Sequence, residues 1–171
     1  MHIAGNMLFL WIFGDNVEDA MGSVRFVIFY LLCGIAARAA HYAAGPDSTV
    51  PTIGASGAIA GVMGSYMLLY PRARVLTLVP LVVILQVISV PAPLFLGVWF
   101  LMQFYQGAAA AASGAASGVA WWAHIGGFVV GLVLTWILGR KHKLKPKVER
   151  VRPGSERVVY SQVSPWGRRL N

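Results

Sequence analysis

The sequence predicts an all-α, polytopic membrane helix bundle, and three observations predict it. The 171 residues are 57% hydrophobic and only 12% charged, about half the charged fraction of an ordinary soluble domain. Mean hydropathy is +0.66, and the apolar residues fall in long runs separated by short polar turns, as in helices that cross a bilayer. Ten of the fourteen Lys and Arg lie from Arg140 onward, beyond the last apolar run. A formal charge of +8 spread over a surface would suggest nucleic acid. Gathered in one terminal segment, it is instead the bias that holds a tail in the cytoplasm, and no nucleic-acid partner is expected.

Five apolar segments follow in order. The first runs from about Ile3 to Val17 and ends in the acidic turn "GDNVEDAMGSVR". The second covers about Ser23 to Ala44, with Arg38 and His41 near its end. The third starts at Ser56 and stops near Tyr70, before "PRAR". The fourth region is longer than one span and is interrupted at Pro80, Pro91 and Pro93. Proline lacks the N–H a helix needs and clashes with the preceding turn. The spanning helix is therefore set at about Pro91 to Gln106, and the apolar stretch before it has no assigned shape. The connector 107–118, "GAAAAASGAASG", is low in complexity; its Gly and Ser favour a mobile link, whereas its Ala run is able to extend a helix. The fifth segment runs from about Val119 to Leu138. Residues 1–139 form the transmembrane domain on this reading, and 140–171 a basic, disordered cytoplasmic tail with three prolines and little apolar periodicity.

With the C-terminal cluster cytoplasmic, counting back puts "PRAR" and the acidic turn on the same side. The loop 45–55 and the connector 107–118 then face outward. Segments one, three and five enter from the outer face, and each carries polar residues near that end. His2 and Asn6 open the first, Ser56 opens the third, and His124 lies about a turn and a half into the fifth. Polar groups within a membrane are expensive and by default suggest function. His2 and Asn6 are four apart and share a helix face. His124 shares a face with Gly127 and Gly131, a GxxxG pair, while Gly57, Gly61 and Gly64 follow Ser56. Small residues let membrane helices approach closely, so segments three and five are able to bring Ser56 to His124. Serine becomes a nucleophile when a base takes its proton, and neutral histidine suits that task. The Ser56 N–H, at a helix start, is available to a developing oxyanion, with Asn6 and His2 as further donors. Of the acidic residues only Asp47 is on the right side to orient His124; a Ser–His dyad is the preferred reading. One cysteine, Cys33, excludes an intrachain disulfide and any multi-Cys metal site, and its place in an apolar run marks it as a packing residue. Trp121 and Trp122 read as part of an outer aromatic belt.

The stretches "HIAGNMLFLWIFGDNVED", "GASGAIAGVMG" and "AHIGGFVVG" resemble the three signatures of the rhomboid intramembrane serine proteases: HxxxN, GxSG and AHxxGxxxG, in that order. The resemblance covers about residues 1 to 139. It implies Ser56 as nucleophile and His124 as base, with His2, Asn6 and the Ser56 amide as the oxyanion site. Gly54 and Gly57 would shape the turn, and Gly127 and Gly131 the helix contact. It further implies cleavage of substrate transmembrane segments near their outer ends, no metal or cofactor, and a gate and cap formed by the fourth helix and the connector 107–118. Two departures stand out. Ala60 occupies a position where some members carry an aromatic packed on the histidine. Five of the usual six transmembrane helices are present, the first helix and its following loop being absent, so an upstream segment of about 20 apolar residues and an outer loop are expected before Met1. The expected partners are transmembrane protein substrates and the lipid bilayer, and the expected place is a bacterial inner membrane, with the C-terminus cytoplasmic. The alternative is an inactive rhomboid-like membrane binding protein; a small transporter or channel has too little intramembrane charge to support it.

Overall fold

The computed structural model describes residues 2–46, 54–81, 84–113 and 119–142. Its elements are α1 (His2–Phe9), a π-helical turn (Leu10–Gly14), α2 (Asp15–Met21), α3 (Ser23–Ala44), α4 (Ser56–Leu69), strands β1 (Arg74–Leu81) and β2 (Ile84–Pro91), α5 (Ala92–Ser113) and α6 (Trp121–His142). The all-α membrane bundle expected from composition is present, with one small β-element added. By length and composition α3, α5 and Trp121–Leu138 of α6 are long and apolar enough to cross a membrane.

The first segment is longer than its apolar pattern indicates. Helix continues through the acidic residues to Met21, and the reversal is compressed into Gly22. Its φ of +84° is open to glycine at little cost. Its N–H donates to the Glu18 carbonyl at 2.6 Å, and its own carbonyl accepts from the Phe26 N–H at 2.9 Å. A twelve-residue polar string is thus helix end, one turn residue and helix start. The π-helical turn buries Phe13 and Gly14, and Phe13 meets Tyr66 of α4 edge-on at 5.0 Å. Tyr70, at the end of α4, donates its hydroxyl to the Asn16 carbonyl at 2.8 Å, tying that end of α4 to α2.

Helix α4 is the centre. Every residue from Gly57 to Tyr66 is buried, and α6 and α3 pack on it and on each other. Fourteen residues rise about 21 Å, less than the ~30 Å hydrocarbon core of a bilayer. The N-terminus of α4 is sunk below the end of α3, since Gly57 packs on Ala37 and α3 continues to Ala44, and it is level with the start of α6, where Gly57 meets Ala123. Side chains that would hold the helices apart are absent. A Cβ on Gly127 would overlap the carbonyl oxygen of Gly57, and one on Gly131 the carbonyl oxygen of Gly61. A Cβ on Gly61 would also meet Cys33 Sγ at 2.5 Å, so the cysteine fills the third side of the same contact and packs as its surroundings suggest. Deeper in, Thr135 donates to Ser65 Oγ at 2.7 Å, both side chains buried. The outward faces carry Val24, Leu31, Ile35, Leu101, Tyr105, Val133 and Trp136, all exposed; lipid, with no hydrogen-bonding demand of its own, is the environment such faces suit.

The unassigned stretch before the fourth helix is an antiparallel hairpin. Arg74 pairs with Pro91 and Leu81 with Ile84. The prolines that exclude a helix are placed in it at Pro80 and Pro91, and β-branched residues favour the extended form. Its base is closed by the Ala92 N–H on the Ala73 carbonyl at 2.8 Å and by Arg74, whose Nε and Nη2 donate to Ser89 Oγ and Ser89 O at 2.8 and 2.6 Å. Helix α5 then runs to Ser113, so the Ala run does extend it; the remainder of the connector, 114–118, lies outside the described residues. At the other end α6 continues to His142, past the domain boundary drawn at 139; the rest of the basic tail lies outside the described residues.

Gly131→Leu is expected to lower the thermal midpoint in detergent by several degrees, because overpacking at a closed contact costs about 1–3 kcal/mol. Gly97, with nothing within 4 Å of an added Cβ, supplies the control: Gly97→Ala should hold or raise the midpoint, since alanine is the better helix former. Equal midpoints for the two variants would contradict the close α4–α6 approach.

Candidate active site

The geometry around Ser56 begins with Gly54, whose φ of +140° is disfavoured for any residue with a Cβ. Ala55 turns into helical conformation as the N-cap of α4, and Ser56 is the first helical residue. The Ile59 N–H donates to the Ala55 carbonyl at 3.0 Å, so the N–H groups of Ser56 and Gly57 precede the first such bond and, by position, lack an intrahelical acceptor. Gly54 and Ala55 are exposed and Ser56 is half-buried, which leaves a polar mouth at the sunken end of α4. Gly57 is held tight on two sides: a Cβ there would meet Ala37 Cβ at 2.5 Å and the Ala123 carbonyl oxygen at 3.3 Å. Both glycines singled out from sequence therefore sit where a side chain would be strained or would not fit.

His124 lies in the first turn of α6, with 8% of its surface exposed. Its Nε2 is 2.9 Å from Ser56 Oγ, bringing together residues 68 apart in sequence. Its Nδ1 is 2.7 Å from Oε1 of Gln103 on α5, itself 6% exposed. Trp99, one turn before Gln103, lies with its ring centroid 5.9 Å from the imidazole, tilted by 38°, and Trp121 meets the imidazole edge-on at 6.2 Å. The two tryptophans expected in an aromatic belt are half-buried, with Trp121 against His124 and Trp122 edge-on to Phe104 of α5 at 6.1 Å. Ala60 is fully buried. The aromatic support for the histidine, absent from that position, comes from Trp99 and Trp121.

Such an arrangement can transfer a proton from a hydroxyl to an imidazole in a partly dry site, leaving an alkoxide-like oxygen beside free backbone N–H groups. Asn6 is half-buried on α1, and among the described residues no hydrogen bond links it to Ser56 or His124. His2 begins α1, but its side chain, like Asp47 as a whole, lies outside the described residues. Sequence reading overlooked Gln103 and Trp99. The available signal was the stripe Leu96, Trp99, Gln103, Gly107 at helical spacing; Leu96, Gln103 and Gly107 are buried, and Gln103 is the one polar side chain in it.

Comparison with known proteins agrees with these motifs. The Rhomboid domain model matches residues 1–141. The chain is 30% identical over 146 residues to Rhomboid protein 1, mitochondrial, of Saccharomyces cerevisiae, covering 81% of this chain and 38% of that protein. It is 42% identical over 66 residues to Rhomboid protease GluP of Bacillus subtilis, covering 39% and 12%. It is 31% identical over 150 residues to Rhomboid-like protein 11, chloroplastic, of Arabidopsis thaliana, covering 81% and 48%. The chain thus spans less than half the length of each of these relatives. The membrane-length helices support a multi-pass membrane protein; two of these relatives are named mitochondrial and chloroplastic, and the bacterial inner membrane expected from sequence is not supported. No solved structure matches the chain at a significant level.

Gly127→Ala places a methyl group against the Gly57 carbonyl, one turn from the Ser56–His124 contact. Displacement of about 1 Å at such a pair costs on the order of 10²-fold, and the rate at which a fluorophosphonate labels Ser56 should fall accordingly. Labelling at the wild-type rate would show that the contact does not set the separation of the pair.

Proposed function

The chain belongs to the rhomboid family, and from that premise we propose that it is an intramembrane serine endopeptidase that cleaves transmembrane segments of other membrane proteins. The observation that carries this reading is the 2.9 Å contact between His124 Nε2 and Ser56 Oγ at the sunken end of α4. In the proposed cycle the neutral His124 takes the Ser56 proton on Nε2 as Oγ attacks the scissile carbonyl carbon. The carbonyl oxygen becomes an oxyanion, stabilised by the Ser56 N–H and by the side chains of Asn6 and His2. His124 then gives its proton to the departing amine, which leaves an ester on Ser56. Water attacks that ester with His124 again as base, releasing the acid and restoring the serine. No metal or cofactor enters these steps.

Burial supports the same reading. A peptide bond in a membrane helix has its carbonyl and N–H satisfied within the helix, so cleavage requires a local opening of the substrate and a supply of water. The exposed Gly54 and Ala55 beside the half-buried Ser56 leave an accessible edge at the position where the nucleophile stands, through which water and substrate would enter. The basic residues from Arg140 onward support a cytoplasmic C-terminus, which directs this edge to the outer side.

Ser56→Ala and His124→Ala should each lower cleavage of a reporter transmembrane substrate by more than about 10³-fold, with no greater loss in the double variant, since nucleophile and base act as a unit. Membrane insertion and amount of protein should be unchanged. Asn6→Ala should reduce turnover by up to about 10²-fold, with the remaining donors compensating, while Ser56 still reacts with a fluorophosphonate. Near-normal cleavage by Ser56→Ala would overturn the nucleophile assignment. A wild-type chain that is folded but neither cleaves nor is labelled would favour a rhomboid-like binding protein.

A further inference from the structure

Gln103 stands where a serine hydrolase commonly places a carboxylate, and its position is a product of packing. In α5 the residues Leu96, Gln103 and Gly107 are buried, and Trp99 packs its ring toward His124 and Phe128. This face lies on α6, and Gly107 abuts Trp121, whose Cβ stands 3.3 Å from the position of an added methyl. The stripe brings one polar group, the Gln103 amide, to the level of His124. Gln106, one turn further on, is outside the stripe and donates to its own helix, to the Met102 carbonyl at 3.3 Å. Of two glutamines three residues apart, one is a surface residue and one is 2.7 Å from the imidazole.

We infer that Gln103 is a positioning residue that holds the proton of neutral His124 on Nδ1, and so keeps the Nε2 lone pair directed at the Ser56 hydroxyl. The inference deepens the protease reading and rests on it for the role of His124. An amide oxygen only accepts, and Nδ1 can pair with Oε1 only as N–H. With the proton on Nδ1, Nε2 is the acceptor and the Ser56 O–H is the donor, the direction general-base catalysis requires. With Oε1 facing the ring, the opposite tautomer would place N–H on Nε2, pointing at Ser56, and set two acceptors against each other at Nδ1, unless the Gln103 amide turned to donate from its own Nε2. The amide does this without charge. A carboxylate at the same depth would accept the same N–H but bring a charge into an apolar bundle, at a cost in stability, whereas a neutral amide meets the imidazole N–H at the cost of one ordinary buried hydrogen bond. Trp99, a turn away on the same face, holds the ring plane while Gln103 fixes its protonation.

The test uses the purified full chain in lipid bilayers, with three variants. Gln103→Met keeps volume and removes the acceptor; Gln103→Glu keeps an oxygen at the same reach; Gln106→Met changes the neighbouring glutamine. Two quantities are read: kcat and KM on the reporter substrate, and the ¹⁵N shifts of His124, assigned by comparison with His124→Asn. In Gln103→Met, kcat should fall about 10- to 100-fold with KM little changed, and the ¹⁵N signals should move from the Nδ1–H toward the Nε2–H tautomer. Gln103→Glu should recover the Nδ1–H tautomer and most of kcat, and Gln106→Met should match wild type in both. A Gln103→Met protein with wild-type kcat and an unchanged tautomer would overturn the inference, and so would a joint loss of kcat and stability with the tautomer unchanged, which is the mark of packing alone. If the wild type neither cleaves nor is labelled, the protease reading falls, and the tautomer shift still decides whether Gln103 sets the protonation of His124.

Discussion

Helices α4 and α6 meet backbone to backbone, and the rest of the molecule is arranged around that contact. Gly127 and Gly131 lie against the carbonyls of Gly57 and Gly61, with no space for a methyl group on either. Between membrane helices lipid offers no hydrophobic incentive to associate, so dispersion over a close interface has to supply it, and glycine permits the closest interface. The contact also fixes the distance between the helices, and thus whether a serine on one reaches a histidine on the other. Stability and site geometry here depend on the same four glycines.

Among the described residues the buried polar side chains, Ser65, Gln103, His124 and Thr135, are uncharged types and each is hydrogen-bonded. Thr135 meets Ser65 on the α4–α6 seam, and Ser56, His124 and Gln103 form a chain across α4, α6 and α5. In a low-dielectric interior an unpaired polar atom is costly and a charge more so. That cost shapes the site, where an amide, an imidazole and a hydroxyl are joined by hydrogen bonds; in the proposed mechanism they serve as acceptor, base and nucleophile. The pairing links the site to α5 as well, a helix that has far less contact with α4 than α6 has. Orientation of the imidazole is thereby made dependent on the placement of a peripheral helix.

Two sharp reversals among the described residues show how local constraint and packing divide the work. At Gly22 a positive φ is sufficient, and helix resumes at once. Between α4 and α5 the prolines exclude a helix, and the chain instead pairs with itself, closed at its base by Arg74 on Ser89. Hydrogen bonds that a helix would satisfy internally are satisfied across the hairpin, which meets the backbone's demand in a different way.

The sequence by itself determined the membrane class, the five helical segments, and the three stretches that carry His2 and Asn6, Ser56, and His124. Hydropathy, helical spacing and small-residue faces are properties of near neighbours along the chain, legible without a fold. The glycine faces even indicated which helices would touch. It did not determine the extent of the first helix, because apolar pattern stops where the membrane does and helix does not. Nor did it determine the hairpin, since a short apolar run with prolines fits several shapes. Above all it could not separate Gln103 from Gln106, or assign to Trp99 the support that Ala60 lacks. Those distinctions depend on the rotation and axial register of α5 against α6, set by Leu96, Gly107 and the tryptophans packing together. A hydrogen bond between residues 21 apart exists only after that packing is made.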